Sequence, residues 1–240
     1  MRTRTLVPQL TPENAEKYIS FALVNKDKNK GLLGTCPYKD VLDLAAVPRW
    51  YTDRGSFLVD NDIMQMLQMT KEEVLDIASR NTESENYVCR DIREIIRDVM
   101  IADGMDAELL DDMYPVREPL LFVLTNHANT DGSRAVLSDR FMQSVAERLG
   151  TDELYLLPAS RDEMLAVSPA IAGDVTGLKS AVMAVNRDPG SVKPENVLSD
   201  SVYCYNAVTH TLSLCDGMGV SHAEPAQDVK QTYSRGRGRS

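Results

Sequence analysis

The sequence predicts an α+β fold, a mixed or mainly antiparallel sheet with packed helices, and is compatible with two similar strand-turn-strand-helix lobes. The first observation is an unbroken apolar run over residues 120–124, because a run without polar alternation is typical of a strand covered on both faces. The second is a set of amphipathic stretches whose apolar residues recur every three to four positions, as in helices packed on a sheet. The third is that the apolar runs are short and are joined by polar turns.

The composition is that of an acidic globular protein. The chain has 240 residues, 43% of them hydrophobic, which is enough for an ordinary packed core. Its formal net charge of −10 argues against a nucleic-acid-binding body, because such binding depends on Lys and Arg. Only Leu6 and Val7 follow the basic first residues before Pro8, so neither a signal peptide nor a membrane span is expected. We therefore expect a soluble, bacterial, cytoplasmic protein.

The cysteines are scattered along the chain without a CxxC pair or a nearby histidine: Cys36, Cys89, Cys204 and Cys215. This spacing predicts free thiols in a reducing compartment. Cys204 and Cys215 flank a predicted hairpin, but a turn near Thr209 would place them out of register. A disulfide between them is therefore not expected.

The first half of the chain contains clear helix signals. Thr11 is a good N-cap ahead of Pro12, and Thr70 and Glu73 have the spacing of a capping box. The predictions in chain order are a helix from Thr11 leading into an apolar run at 19–24, a solvated helix or loop over 25–34, a strand over 42–50 that ends near Pro48, a short strand over 56–59, helices beginning at Asn61 and Thr70, a polar break over 81–86, and an amphipathic helix over 91–100.

The second half begins with the central strand over 120–124, followed by a polar turn over 125–132 and a second short strand over 135–137. Ser138 is placed to cap the next helix, and Gly150 supplies its left-handed end. The remaining predictions are a strand over 154–157, its antiparallel partner over 164–167, a helix capped by Asp174, and a hairpin over 202–215 at which the fold ends.

Shifts in composition predict four segments: an N-terminal α+β lobe over 1–102, an acidic connector over 103–118, a C-terminal α+β lobe over 119–216, and a disordered tail over 217–240 that ends in Arg and Gly. Residues 53–67 and 131–145 both give a Gly-containing turn, a short apolar strand and a helix. This similarity indicates either a duplicated unit or a chance match between two short stretches.

The usual signatures of catalysis are missing. The sequence contains no GxSxG, no Gly-rich phosphate loop, no HExxH and no dinucleotide fingerprint. The histidines, His127, His210 and His222, fall on a turn, a hairpin tip and the predicted tail, so we expect no metal site and no cofactor. A site built from carboxylates remains an alternative, because Asp and Glu occur throughout the chain.

Polar residues at predicted strand ends and turns form the candidate binding site: Thr125, Asn126, Ser160, Asp162, Glu163 and Asp200. Polar groups at strand ends often line sites in α/β folds, and a serine beside two carboxylates suits acid/base chemistry if burial raises a carboxylate pKa. The alternative is structural: the asparagine serves its turn, the serine-carboxylate cluster is a solvated hairpin, and Asp200 orders a loop. The terminal arginines Arg235, Arg237 and Arg239 offer weak phosphate contact or form a plain solvated terminus.

Short motifs follow one another in a definite order: Leu23-Val24-Asn25, Lys28-Asn29, Leu32-Leu33, Pro37, Leu42-Asp43-Leu44, Val123-Leu124-Thr125-Asn126, Gly132, Leu156-Leu157-Pro158, Ser160, Glu163, and Leu198-Ser199-Asp200 with Val202, Tyr203 and Tyr205. Over residues 18–214 this series resembles a bacterial family catalogued as domain of unknown function 5688. The resemblance implies a single conserved module and no known activity. The sequence departs from the family pattern at Asp162, where the family carries a histidine. Either that motif is structural, or this chain works without the histidine.

Two functions follow from these observations. The first is a non-catalytic binding or regulatory module with an unidentified protein partner, because no nucleophile, base and orienting residue stand together and the amphipathic helices offer apolar faces. Met64, Met66 and Met69 would suit an adaptable contact surface, although such a stripe is more often core. The second is a hydrolase or transferase with a carboxylate-centred site, which requires the separated candidate residues to converge. We favour the first.

Overall fold

A computed structural model describes residues 9–113, 121–216 and 219–222. The first half of the chain forms α1 (Pro12–Tyr18), β1 (Ile19–Asn25), α2 (Lys30–Leu33), β2 (Lys39–Val41), β3 (Leu44–Thr52), β4 (Gly55–Leu58), α3 (Asn61–Leu67), α4 (Lys71–Ser84), β5 (Tyr87–Asp91), α5 (Ile92–Ala102) and α6 (Ala107–Met113). The second half forms β6 (Leu121–Asn126), a 3-10 helix (Gly132–Leu137), α7 (Asp139–Leu149), β7 (Glu153–Pro158), β8 (Met164–Val167), α8 (Pro169–Ala172), α9 (Val175–Arg187), a short 3-10 helix (Pro194–Asn196), β9 (Tyr203–Asn206), β10 (Thr211–Asp216) and β11 (Gly219–His222). Within these ranges, every helix is too short or too polar to cross a membrane.

The strands form two separate antiparallel sheets. In the four-stranded sheet, β3 pairs with β1 along one side and with β2 and then β4 along the other. In the seven-stranded sheet the order is β11-β10-β9-β7-β8-β6-β5. Each pairing along this order is antiparallel. The predicted α+β class is therefore confirmed, with the strands divided between two sheets.

The central strand β6 lies inside the seven-stranded sheet, between β8 and β5. Its Phe122 and Leu124 are buried in one hydrophobic core with Leu23 and Trp50 of the four-stranded sheet. Burying an apolar side chain of this size contributes roughly 1.5–3 kcal/mol, so the two sheets stabilise each other through a shared core. The prediction of a covered interior strand is confirmed.

The predicted second strand at 135–137 is wrong, because this segment belongs to the 3-10 helix. The main-chain N–H of Arg134 donates to the carbonyl of Asp131 at 3.3 Å, and that of Ser138 donates to Ala135 at 3.1 Å. An apolar run this short carries no periodicity that separates a strand from a buried helical turn. Since the corresponding part of the earlier stretch is strand β4, the two stretches compared as a repeat differ here.

Strand β3 continues through Pro48 to Thr52, although the sequence predicted an end near the proline. In an antiparallel strand, the N–H and C=O of one residue point to the same side. The carbonyl of Pro48 accepts the main-chain N–H of Val59 at 3.0 Å, so its nitrogen also faces away from β1. The proline therefore removes no hydrogen bond from the β1–β3 ladder.

The predicted polar break at 81–86 is wrong in its first part, because α4 continues to Ser84. Thr82 is buried, and its hydroxyl bonds to Ser20 at 2.9 Å and accepts the main-chain N–H of Phe21 at 3.1 Å. These contacts satisfy a polar side chain inside the core. Strand β5, which the sequence analysis missed, follows and pairs with β6.

Helix signals in the second half match the structure. Ser138 caps α7 by accepting the main-chain N–H of Phe141 at 3.3 Å, and Gly150 ends the helix in the left-handed conformation. Asp174 caps α9 by accepting the N–H of Gly177 at 2.8 Å. The structure therefore confirms these predictions. They could be made from the sequence because a cap depends on residues only three positions apart.

The hairpin β9–β10 contains a disulfide between Cys204 and Cys215, so the prediction of four free thiols is wrong. Cys204 lies opposite Ser213 in the register, which makes the two cysteines diagonal neighbours on one face. Their Cα atoms are 5.5 Å apart, well within the range of a disulfide. Cys215 lies two positions beyond the residue directly opposite Cys204, and this offset does not prevent the disulfide bond.

The fold continues beyond Asp216, where the sequence predicted its end. Strand β11 returns along β10, with His222 opposite Ser213. Its four residues include a single large apolar side chain, Val220, so the pattern gave no strand signal. The rest of the predicted tail, 217–218 and 223–240, lies outside the described residues, as do 114–118 of the predicted connector and 119–120 of the predicted C-terminal lobe.

Candidate functional site

Predicted site residues come together where β6 meets the turn between β7 and β8. The Thr125 hydroxyl donates to the carbonyl of Asp162 at 2.8 Å. The main-chain N–H of Asp162 donates to the Ser160 hydroxyl at 3.0 Å, and the N–H of Ser160 donates to the carbonyl of Glu163 at 3.1 Å. Two turns that are far apart in the sequence are thus joined by internal hydrogen bonds.

Asn126 orders the loop that follows β6. Its Nδ2 donates to the Thr130 carbonyl at 3.0 Å and to Glu85 Oε1 at 3.1 Å, and its Oδ1 accepts the main-chain N–H of Thr130 at 3.2 Å. The side chain is buried, whereas His127 beside it is exposed. The donor and acceptor groups of Asn126 are therefore engaged within the protein.

Asp131 is the centre of this cluster, and the sequence analysis did not single it out as a site residue. Its side chain is fully buried, and its backbone has a φ of 52°. Oδ2 accepts the Tyr51 hydroxyl at 2.8 Å and lies 3.7 Å from Arg49 Nε, while Oδ1 pairs with the Arg161 guanidinium at 2.6 Å. The main-chain N–H of Asp131 donates to Asp162 Oδ1 at 2.7 Å. Both carboxylate oxygens are thus paired, as burial of a charge requires.

Arg134 forms a second ion pair beside the first. The residue is 5% exposed, and its Nε and Nη2 donate to the two carboxylate oxygens of Glu85, each at 2.8 Å. The guanidinium carbon lies 4.4 Å from the ring centre of Tyr51. Burial opposes the charged form, but Tyr51 and Glu85 raise the pKa of Arg134 above its ordinary value. Burial also raises the pKa of Tyr51, so its hydroxyl stays protonated and donates to Asp131.

A cavity of about 300 Å³ opens beside these ion pairs. Its lining includes Tyr51, Glu85 and Arg134. Asp131 and the predicted residues of the β7–β8 turn are not part of this lining. The cavity therefore borders the cluster without joining the predicted site residues.

Gly132 allows the chain after Asp131 to approach β6 closely. A Cβ at this position would lie 2.3 Å from Thr125 Oγ1, 2.5 Å from the carbonyl oxygen of Asp162 and 2.8 Å from the main-chain nitrogen of Asn126. Carbon atoms do not approach other heavy atoms this closely in packed proteins. Packing therefore requires glycine here.

Glu163 is the carboxylate of the predicted site whose environment favours protonation. Its side chain is half-buried, and burial, followed by the negative charge of Asp162, raises the pKa of Glu163 above its ordinary value. Folding then favours the protonated form, so ionised Glu163 disfavours the folded state at neutral pH.

We predict that Glu163→Gln raises the midpoint of thermal unfolding at pH 7. A group whose pKa is raised by folding contributes stability below its unfolded pKa, about 4.3 for Glu, and that contribution disappears as the pH rises through the folded pKa. Glutamine stays uncharged, so the difference from the original chain should vanish near pH 3. Circular dichroism melts at both pH values test this, with the exposed Glu147→Gln as control. A lower midpoint for Glu163→Gln at pH 7 would contradict the prediction.

Asp200 lies in the segment before β9, and this segment touches the β7–β8 turn, because the carbonyl of Asn196 accepts the main-chain N–H of Arg161 at 2.9 Å. Asp200 Oδ1 accepts Asn186 Nδ2 at 2.8 Å. The neighbouring Ser199 hydroxyl donates to Asp43 Oδ2 at 2.5 Å, and Tyr203 donates to Asp43 Oδ1 at 2.7 Å. These bonds fasten the β2–β3 turn to the segment before β9. Among the described hydrogen bonds, the Asp200 side chain bonds to Asn186 of α9 and not to the other predicted site residues.

A third polar cluster joins α7 to the β9–β10 hairpin. Asp139 Oδ1 accepts the Tyr205 hydroxyl at 2.5 Å, and Oδ2 lies 2.7 Å from His210 Nδ1. Gln143 Nε2 also donates to Asp139 Oδ2, at 2.8 Å. Burial opposes ionisation, but the hydrogen bonds from Tyr205 and His210 outweigh it and lower the pKa of Asp139. Asp139 is therefore ionised at neutral pH.

The free cysteines are poor candidates for nucleophiles. Burial raises the pKa of both Cys36 and Cys89 to about 11, so the thiolate form is scarce at neutral pH. The described ranges also hold no group of three or more His, Cys, Asp or Glu side chains with the geometry of a metal site. The chemistry available around Asp131 is therefore that of carboxylates, guanidinium groups and hydroxyls.

The residues that sequence reasoning missed are two buried charged groups, Asp131 and Arg134, and two partly buried partners, Tyr51 and Glu85. Buried charge leaves no periodic pattern, because each partner lies on a different element. The available local signal was the Asp131-Gly132 pair within a predicted turn, which is typical of a tight backbone conformation.

Comparison with known families matches residues 8–207 to one described as a family of unknown function (DUF5688). The match covers most of the chain and includes the Asp131 cluster and the residues around Asp200. No curated protein and no solved structure matches this chain.

Proposed function

The chain belongs to the family of unknown function DUF5688, and we propose that it is a non-catalytic module that binds another protein through apolar side chains exposed between Ile96 and Leu109. The observation that carries the proposal is the concentration of exposed large apolar residues in α5, α6 and the turn between them. They are Ile96, Val99, Ile101, Met105 and Leu109.

The exposure of this segment is considerable. Val99 is 55% exposed and Leu109 is 53% exposed, and no residue of α5 is fully buried. By contrast, Met64 and Met69 pack against the core, and of the three predicted contact methionines it is Met66 that is exposed. Exposed apolar groups concentrated in one segment, rather than scattered singly, are typical of protein-binding surfaces. The amphipathic α5 segment, rather than the methionine stripe, therefore supports a partner surface.

The polar side chains of the Asp131 cluster support a non-catalytic role. Thr125, Asn126 and Asp162 use their polar groups to hold two turns together, and Asp131 has no exposed surface. A general acid or base must reach a substrate proton within hydrogen-bond distance. Groups engaged inside the protein in this way stabilise the fold and leave recognition to other surfaces.

The alternative function is a hydrolase or transferase with a carboxylate-centred site. The raised pKa of Glu163 favours it, because a carboxyl group that keeps its proton to higher pH than usual is better suited to act as a general acid. The engagement of Thr125 and Asp162 in internal hydrogen bonds weighs against it. A small molecule that co-purifies with the chain and is lost in Glu163→Gln would favour this alternative.

Val99→Glu is expected to weaken partner binding by at least tenfold, because it places a charge within an apolar contact. The intact chain, Val99→Glu and the control Val185→Glu are used to capture proteins from native lysate, and the retained protein is then purified for a direct titration. Val185 is also an exposed valine on a helix, outside the proposed segment.

Equal binding by all three chains would overturn the proposed surface. Absence of any stoichiometric partner, together with a monomeric chain in solution, would overturn the binding function itself. Because Val99 is exposed, both valine variants should unfold at the same temperature as the original chain, and thermal melts check this.

A further inference from the structure

Two adjoining cavities form a groove along β2, which is an edge strand of the four-stranded sheet. Their volumes are about 250 Å³ and about 230 Å³, and both are lined by Asp40, Val41 and Leu137. The first also reaches Glu83 on α4, and the second reaches His210 in the β9–β10 turn. We call this continuous space the β2 groove.

Acidic side chains outnumber basic ones in the β2 groove. Asp40 and Glu83 line the first cavity together with Lys39, whose ammonium group bonds to the Ser79 hydroxyl. Asp139, which is ionised at neutral pH, lines the second beside His210. Asp40 is paired with Lys26 at 2.6 Å, but its side chain is 69% exposed and can accept a further cation. The groove therefore fits a ligand with several positive charges.

Strand β11 runs towards the end of the β2 groove that His210 lines. Strand β10 starts at Thr211, directly after His210, and β11 runs antiparallel to it until His222 lies opposite Ser213. At about 3.4 Å per residue, His222 lies roughly 10 Å along the strand direction from the level of His210.

The last part of the sequence carries the required charges. Arg235, Arg237 and Arg239 alternate with glycine. In an extended conformation, every second side chain points to the same side at a spacing of about 7 Å. Thirteen positions separate Arg235 from His222, which allows a reach of about 40 Å. Guanidinium groups also match carboxylates through paired hydrogen bonds.

We propose that residues 235–239 of this chain bind the β2 groove, with a guanidinium group on the exposed carboxylate of Asp40 and the other positive charges beside Glu83 and Asp139, whose carboxylates are already hydrogen-bonded within the protein. Covalent connection gives the segment an effective concentration near the millimolar range, so contacts that are weak between separate molecules suffice to hold it. This interaction is independent of the α5–α6 surface, so either proposal can fail alone.

The test compares amide NMR spectra of the full chain at low salt with those of a chain in which the three arginines are replaced by glutamine. We expect the amides of Asp40, Leu42 and His210 to shift, and the amide of Val99 to stay unchanged. About 0.5 M salt should remove most of the difference, because exposed charge pairs are screened. Groove amides that are identical in the two chains would overturn the proposal.

Two further chains make the result specific. Asp40→Asn should reduce the shifts caused by replacing the arginines, whereas Asp62→Asn, an exposed residue of α3 outside the groove, should leave them unchanged. Equal effects of the two aspartate substitutions would overturn the proposed site. Shifts that grow with protein concentration would show binding to a second copy and would overturn binding within one chain.

Discussion

Asp131→Asn is expected to lower the free energy of unfolding by about 3 to 5 kcal/mol, the largest effect we predict for a single charge. The carboxylate is fully buried and pairs with Arg161 at 2.6 Å while accepting the Tyr51 hydroxyl at 2.8 Å. Asparagine keeps the size of the side chain and tolerates the left-handed backbone at this position, where φ is 52°. The loss of unfolding free energy therefore measures the effect of removing the charge. This change leaves Arg161 without its carboxylate partner.

Urea unfolding followed by circular dichroism measures this difference. Asp62→Asn serves as the control, because Asp62 is an exposed aspartate near the start of α3 and its replacement should change stability by less than about 0.5 kcal/mol. A second substitution, Arg161→Met, should destabilise the Asp131→Asn chain less than it destabilises the original chain, since the pair is already broken. Equal effects of Arg161→Met in the two backgrounds would show that Asp131 and Arg161 do not interact.

The elements that could be predicted are those specified by neighbouring residues. Thr70 and Glu73 form the predicted capping box, and Ser138 and Gly150 limit α7 as expected. The apolar run at the centre of the chain becomes an interior strand because its composition already requires cover on both faces. Each of these features depends on a short stretch whose residue pattern specifies a single local structure.

The elements that could not be predicted depend on partners far away in the sequence. Pro48 fits within β3 because its nitrogen faces away from β1, which no local pattern reveals. Strand β5 forms because β6 offers an open edge. The Cys204–Cys215 bond depends on a diagonal position in the hairpin, where register alone argued against it.

The candidate site was also predictable only where neighbouring residues specify it. Turn chemistry placed Thr125, Asn126 and Asp162 at polar positions, and the structure joins them through hydrogen bonds. It could not reveal that Asp131 would be buried beside them, because its partners come from two other segments: Arg49 and Tyr51 from β3, and Arg161 from the β7–β8 turn. Nor could it show that the Asp200 side chain bonds to Asn186 of α9, since contacts between distant segments are a property of the whole fold.

Gly132→Ala is expected to destabilise the protein by about 3 kcal/mol or more, because overpacking against backbone atoms cannot be relieved by a side-chain rotation. The added methyl group would lie 2.5 Å from the carbonyl oxygen of Asp162 and 2.8 Å from the main-chain nitrogen of Asn126. Relief requires β6 and the β7–β8 turn to separate. That movement also breaks the 2.7 Å bond from the Asp131 N–H to Asp162, so the effect exceeds that of the methyl group alone.

Gly31→Ala is the matched control, since Gly31 lies in α2 and a Cβ there meets no atom within 4 Å. This substitution should be neutral or stabilise slightly, because alanine loses less conformational entropy than glycine in a helix. Urea unfolding measures both chains, and hydrogen exchange of the Asp131 amide reports whether its bond to Asp162 has opened. If Gly132→Ala kept both the stability and the slow exchange of the original chain, the close approach of Asp131 to β6 would be wrong. The buried carboxylate would then need another explanation, because this approach brings Asp131 within reach of Tyr51 and Arg161.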